Sequence, residues 1–444
     1  MVMSRDLIQI RRGNENTLPI LSQGELAMTT DSEKLFIGGV SGNVRINGTK
    51  SVNVTDFGAV GDGVTDDSNA FQSAINTGKT VLIPMSDGQN YLIQNSVTVN
   101  TISQTLTVEN DFENNGKITI DTQEGFIINN ENVRFIGLSM VSLNGDASNH
   151  YNTAIKVNGN ATNGASDCHF VNNRFGYFEK AIDNIGRGVR VEGNRFVYCG
   201  ECLSQFYNYI GADLQTTARG NRALRFTNNR IHGSSTMVNN KVGYLLGAKI
   251  ENNIADVGGI VLVSSDSMRE CQINNNVVTL TLTTPIQLLS GDYTSNSFSN
   301  NTFMGDGADR RPDYFMIVES TVGLFDKNKI CNNILDDCDR TAIIFEKDIT
   351  NCAINNNVIK SASQVVSNAD ACIAISNITD CSISNNSFQQ ASTISPIRGL
   401  TTGATLNGCQ IRGNVSNLIG EIITSMTIGV AKTNNIQPAT FVPV

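Results

Sequence analysis

From about residue 168 the chain repeats one phrase of apolar and polar positions. It reads "CHFVNNRF" from Cys168, "VRVEGNRF" from Val189, "LRFTNNRI" from Leu224, "AKIENNIA" from Ala248, "CQINNNVV" from Cys271 and "NSFSNNTF" from Asn296. A looser copy, "NKICNNIL", starts at Asn328, followed by "CAINNNVI" at Cys352, "CSISNNSF" at Cys381 and "CQIRGNVS" at Cys409, with 21 to 35 residues between starts. The first and third positions are mostly apolar and alternate with polar ones, the period-2 signature of a strand. Asn-Asn or Gly-Asn then interrupts the strand, because Asn tolerates the left-handed conformation of a tight corner. An apolar residue (Phe175, Phe196, Ile231, Val358, Phe388) resumes the inward face.

Repeats of this length cannot bury an apolar face alone and stack into a solenoid. An apolar spacing of two excludes helical repeats, and no LxxLxL frame recurs. The pattern predicts an all-β chain, a parallel β-helix of roughly 12 coils stacked about 4.8 Å apart. Cys168, Cys271, Cys352, Cys381 and Cys409 share the first inward position with Val189, Leu224 and Ala248. Free Cys packs as a small hydrophobe, so these five are expected to form an interior column. The paired asparagines are expected to form a hydrogen-bonded ladder at a corner. Neither set is expected to be a site.

The stretch "FGAVGDGVTDDSNAFQSAIN" from Phe57 to Asn76 carries glycines, then Asp62, Asp66 and Asp67, then a run of helical pattern. It fails the dinucleotide fingerprint, because it reads GxxGxG. It fails the P-loop, with no Lys-Ser or Lys-Thr, and the EF-hand, with no closing Glu. No cofactor or metal is expected there. "SVNVTDF" before it alternates like a strand. Thr65 or Asp66 is expected to cap a short helix whose apolar face is Ala70, Phe71, Ala74 and Ile75. Such a helix would cover the open first coil of a solenoid.

Composition sharpens this picture. The 444 residues carry 32 Lys and Arg against 41 Asp and Glu, a net charge of −9, which argues against nucleic acid as a partner. Only 16% of residues are charged, so the surface is mostly Asn, Ser, Thr and Gln and suits uncharged or sugar-like partners. "MVMSRDLIQI" has Arg5 and Asp6 where a leader would be apolar, so no standard leader is expected. No apolar run approaches a membrane span, and no membrane insertion is expected. Of the ten cysteines, Cys199 and Cys202 form a single CxxC with no second pair, and only three histidines exist. A structural zinc wants four ligands, so no metal site is expected there.

"VTDFGAVGDGVTDDSNAFQSAIN", followed by "VLIPMSDGQNYLI", resembles the opening of pectate-lyase-superfamily right-handed β-helices, common in bacteriophage tailspikes. The resemblance is specific over 53–93, and the Asn repeats extend it to about 415. It implies a structural role for the opening stretch. "LIQIRRGNENTLPILSQGELAMTTDSEKLFIGGVSGNVRING" is similar to the small N-terminal modules of phage tail fibres and tropism determinants. Here Leu26 and Met28, then Leu35 and Ile37, predict two strands joined by a polar turn at Asp31–Lys34. A unit this small lacks area for its own core and is expected to trimerise or dock on another virion protein.

Together these readings predict a tailspike or short tail fibre with three parts. Residues 1–50 attach to a phage baseplate or tail protein, 51–420 form the right-handed β-helix, and 421–444 form a strand segment at a trimer tip. A homotrimer is implied, assembled in the host cytoplasm, carried on the virion tail and acting on polysaccharide at the host surface. Chemistry is expected where long intervals interrupt the ladder. The first, Asn194 to Asn229, offers Glu201 and Asp213 as candidate catalytic carboxylates and Tyr207, Tyr209 and Arg219 as candidate sugar contacts. The second, Asn301 to Asn333, offers Asp309 and Asp313, with Arg310 and Tyr314. Glycoside hydrolysis needs two carboxyl groups, about 5–5.5 or 6.5–9.5 Å apart. A lyase needs a base beside a neutralised carboxylate instead. Trp is absent, which weakens the case for a deep aromatic-lined groove. A polysaccharide-degrading spike, a non-enzymatic receptor-binding fibre and a secreted pectinase-like enzyme all fit the fold; the N-terminal module counts against the third.

Overall fold

The computed structural model describes residues 10–31, 34–46, 50–109, 116–146, 151–158, 167–186, 188–206, 221–222, 224–242, 245–258, 261–265, 267–281, 283–305, 307, 311–362, 371–389, 396–400, 404–416, 423–424 and 426–428. They fall into two units, Met1–Val52 and Asn53–Val444.

The first unit is one small sheet of four strands, β1 (Arg11–Gly13), β2 (Leu26–Thr29), β3 (Leu35–Gly39) and β4 (Gly42–Arg45). β2 and β3 pair antiparallel, with Leu26 opposite Ile37 and Met28 opposite Leu35, as the alternation predicts. β1 adds in parallel, with Arg11 beside Ala27. The buried apolar set is small, Leu21 and Ala27, while Ile20, Val40, Val44 and Ile46 are exposed.

The second unit is a right-handed parallel β-helix. Each full coil contributes to four faces, named here in chain order. Face 1 runs from Thr80–Ile83 to Gln410–Arg412, and face 2 from Asp62–Asp66 to Val415–Ser416. Face 3 runs from Val97–Val99 to Ile423–Thr424, and face 4, which begins at Asn221–Arg222, ends at Met426–Ile428. Face 2 has fourteen strands rather than the expected twelve, and every pair along these faces is parallel and neighbouring in coil order. The difference arises before residue 168, where the coils lack the Asn phrase.

The phrase itself spans faces 1 and 2, and its two polar residues have different jobs. The first adopts the left-handed conformation: Asn172, Asn228, Asn252, Asn275, Asn300, Asn332, Asn356 and Asn385 all have φ between 55 and 59°, with Gly193 and Gly413 in the same position. The second is buried and forms the ladder. The side-chain oxygen of Asn276 accepts the Asn253 backbone N–H at 3.1 Å and its amide at 2.9 Å, and the Asn276 amide donates to the Ile250 carbonyl at 2.8 Å. The same arrangement joins ten asparagines from Asn173 to Asn414. Asn is the residue that can both accept two such bonds and donate two.

Cys168, Cys271, Cys352, Cys381 and Cys409 lie in one interior column, each at most 3% exposed. Asn296 and Asn328 share that column, and the Asn296 oxygen accepts the Cys271 N–H at 3.0 Å. Burial pushes the Cys168, Cys199 and Cys271 thiols up to about 12 and raises Cys202 well above its ordinary value. The thiolate is the reactive form, so these groups are inert. Burial raises the Cys331 thiol too, but it is half-buried where the other nine are buried, so thiol titration of the native protein is expected to find Cys331 reacting slowly and first, with the rest reacting only on unfolding. Several fast thiols would show the interior column to be open.

The opening stretch covers the first coil, with one correction. Asp62–Asp66 is itself the first strand of face 2, and the helix, α1, is Ser68–Asn76. Its N-cap is Asp67, not Thr65 or Asp66. The Asp66 carboxylate accepts the Ser68 N–H at 3.0 Å, whereas the buried Asp67 carboxylate turns back and accepts the Val60 N–H at 2.6 Å. The Val60 and Gly61 N–H groups thus hold the Asp67 carboxylate, which makes no hydrogen bond to the helix end. On the core side Phe71 is fully buried, 5.5 Å from the Tyr91 ring and 6.2 Å from Phe126.

Candidate functional site

Glu201 opens the face 3 strand Glu201–Phe206, in register with Lys180 on the coil before and Thr236 on the coil after. It is half-buried, and its Oε1 accepts the Asn239 amide at 2.9 Å. Lys180 is joined to Asp183 at 3.2 Å, and Lys156, one coil earlier, pairs with Glu124. Glu179, exposed, precedes Lys180 on the neighbouring strand, where alternation turns consecutive side chains to opposite faces. Four coils of face 3 therefore carry a band of carboxylates and lysines beginning at Glu124. A carboxylate held by an amide beside a lysine in register can act as an acid or base if a substrate reaches it.

The second long interval is built differently. Arg311 is mostly buried and its Nε lies 2.6 Å from Asp337, with Asp339 at 3.7 Å from Nη1. Asp337 also accepts the Gly307 N–H at 2.8 Å. Arg340 donates to the Tyr314 hydroxyl at 2.6 Å, its guanidinium carbon 5.4 Å from the ring centre. Asp313 is exposed, and its carbonyl accepts the Arg340 N–H at 3.2 Å. These contacts clamp the interval to the next coil.

The sequence-predicted residues are thus divided. Glu201, Asp313 and Tyr314 are placed; Asp213, Asp309, Tyr207, Tyr209, Arg219 and Arg310 lie outside the described residues. Glu201 and Asp313 do not form a pair. Face 3 strands Thr236–Val242, Val261–Ser265 and Ile286–Leu288 separate their coils, a rise of about 19 Å at the usual strand spacing. That exceeds either glycosidase separation. Among the described residues no group of three or more His, Cys, Asp or Glu is placed to hold a metal.

A surface column was missed by sequence reasoning. The rings of Tyr177 and Tyr198 stack at 5.8 Å with planes 9° apart, at the corner from face 2 to face 3. His232 meets Tyr198 edge-on at 5.3 Å, and its Nδ1 lies 2.7 Å from Asp256. The signal was available: both tyrosines stand four residues after a ladder asparagine, in "NRFGY" and "NRFVY".

Residues 8–39 match the family model of the major tropism determinant N-terminal domain. The opening module is therefore similar to that domain, in keeping with the resemblance read from its strands and glycines. No curated protein matches the chain. Among solved structures, PfbA, a surface adhesin of Streptococcus pneumoniae, is similar at 15% identity, over 87% of this chain and 93% of that one, with a TM-score of 0.52. The catalytic unit of a GH87 alpha-1,3-glucanase from Streptomyces thermodiastaticus is 14% identical over 85% of this chain and 69% of that one, with a TM-score of 0.48. The Dettilon tailspike protein is 14% identical over 85% and 68%, with a TM-score of 0.43. At such identities the likeness speaks to the β-helix alone. Among the described residues no helix is long and apolar enough to cross a membrane.

Proposed function

We propose that the chain is a bacteriophage tailspike or tail fibre that recognises polysaccharide on the host surface. One observation carries this reading: a match to the major tropism determinant N-terminal domain stands directly before a β-helix. The first unit attaches the protein to a baseplate or tail protein. Its exposed Ile20, Val40, Val44 and Ile46 are apolar area for that contact or for a homotrimer. The helix presents long outward faces to a glycan. The purified protein is expected to bind host cells, to compete with phage adsorption, and to show three times the monomer mass by light scattering. Failure to compete at saturating concentration would overturn the reading.

A second reading, cleavage of that polysaccharide, is favoured by Glu201, held by the Asn239 amide and in register with Lys180 on the neighbouring coil. Incubation with host capsule or lipopolysaccharide is then expected to release new reducing ends or unsaturated uronates. Glu201→Gln is expected to lower that rate at least a hundredfold, the usual scale for loss of a general acid or base, with binding retained. Binding by the wild type with neither product would sink the cleavage reading and leave recognition standing.

A further inference from the structure

Three arginines form a row on face 2. Arg174, Arg195 and Arg230 are in register on consecutive coils, each directly after a ladder asparagine. All three are exposed, and none makes an ion pair or side-chain hydrogen bond among the described residues. Strand pairing sets their spacing at about 4.8 Å per coil. Like charges stacked this closely destabilise a sheet, so the fold does not require them. In a chain of net charge −9 they are conspicuous.

The tyrosine column stands three residues further along the same coils. Tyr177 and Tyr198 have φ of 66 and 50°, a left-handed conformation that a bulky side chain adopts at a cost of about 1–3 kcal/mol. At the same corner other coils use Gly233, Asp337 and Ser361. Small or polar residues therefore satisfy the backbone, and the two tyrosines are there for their rings. Gly233 completes the platform: a Cβ at that position would come within 2.3 Å of the Tyr198 ring. Between the two columns lie Gly176, the nearly buried Val197, and His232, a low floor. The acids nearby are Asp256, already held by His232, and exposed Glu179 beyond the corner.

We infer that this surface is a binding track for a linear acidic polysaccharide running along the helix axis. Sugar faces lie on Tyr177 and Tyr198, and carboxylates meet Arg174, Arg195 and Arg230. The coil repeat is close to the length of one sugar residue, so successive residues of a polymer meet equivalent groups. Guanidinium recognises carboxylate bidentately, which a lysine row would not do. Face 1 carries a second row, Arg134, His169, Arg190, Arg225 and Lys249, but His169 breaks the run of cations and Glu192 and Glu251 stand on the same face and interrupt its field. The track rests on the proposed recognition of host polysaccharide and names its chemical class.

The test uses the full-length protein and affinity electrophoresis in gels containing polygalacturonate, alginate, hyaluronate, polysialate or neutral dextran. The wild type is expected to be retarded by at least one acidic polymer, less so at high salt, and not by dextran. Arg174→Gln, Arg195→Gln and Arg230→Gln together are expected to weaken that binding at least tenfold, and Tyr198→Ala alone at least threefold. The melting temperature of the triple variant is expected to hold or rise, because removing stacked like charges relieves repulsion and breaks no ion pair or side-chain hydrogen bond among the described residues. Retardation by none of the acidic polymers, or equal retardation of wild type and triple variant, overturns the track. So does a changed oligomeric mass in the triple variant, which would make the row an interface between copies of the chain. Host-cell binding separates this from the function itself: cells that bind both proteins equally keep the tail-protein reading and reject the track. Cells that bind neither, beside a positive acidic-polymer result, keep the track and reject the tail-protein reading.

Discussion

Replacing Asn276 with alanine is expected to destabilise the helix by about 3–5 kcal/mol, the sum of several buried groups losing partners at about 1–3 kcal/mol each. The side chain is fully buried in mid-ladder. Its oxygen accepts from the Asn253 backbone at 3.1 Å and from the Asn253 amide at 2.9 Å; its amide donates to Ile250 at 2.8 Å and Asn301 at 3.0 Å. Alanine leaves the Asn253 N–H with no acceptor and no access to water. Asn276→Asp should be worse still, because a carboxylate there would face the Ile250 carbonyl and the Asn301 oxygen, both acceptors. The neighbouring Asn275 makes a sharp control. It has φ 57°, a position that Gly193 and Gly413 fill in other coils, so Asn275→Gly should lie within about 0.5 kcal/mol of wild type. Denaturant midpoints at one protein concentration check the contrast. Equal losses for Asn275→Gly and Asn276→Ala would show that the corner, not the ladder, holds the coils.

That contrast also shows what was legible in the sequence. Two adjacent asparagines are enough to predict a corner, since one can take the left-handed conformation and the other can stack. The inward cysteines follow from the same frame. Faces 3 and 4 are not legible in this way. Face 4 strands are short, such as Leu245–Leu246 and Ile349–Thr350, face 3 strands vary from two or three residues to seven, as in Tyr151–Val157, and neither face has a phrase of its own. The candidate site was legible only in part. Glu201 was found because it begins a long interval. The tyrosine column escaped because tyrosines were sought in the long intervals, while the repeat frame placed Phe175 and Phe196 in the interior, where they do stack at 5.1 Å. The residues that deviate from the frame, two tyrosines and three arginines at fixed offsets, are the ones with no packing reason to be present.

Among the three carboxylates of the opening stretch, substitution by alanine is expected to rank Asp67 first, Asp66 second and Asp62 last. Asp67 is 1% exposed, and its oxygens accept the Val60 N–H at 2.6 Å and those of Gly61 and Leu92 at 3.3 Å. Asp67→Ala strands buried donors on both sides of the first coil and should cost about 3 kcal/mol or more. Asp66 binds the Ser68 N–H, the Gln94 N–H and the Asn95 amide near the surface. Burial pushes its carboxyl up, but these bonds outweigh it and hold it below the ordinary value. Asp62 closes an exposed turn on Thr65 and Val64, whose N–H groups hold its carboxyl low. Carboxyls depressed in the folded chain stabilise it above their unfolded value of 3.8, and that contribution disappears as pH falls through the lower folded values. The cap should therefore loosen below about pH 4 before the ladder does, since no ladder asparagine titrates. Because the oxygens already face backbone donors, added calcium should not raise the melting temperature. A calcium-dependent rise, or a loss on Asp62→Ala as large as that on Asp67→Ala, would return this stretch to the status of a site.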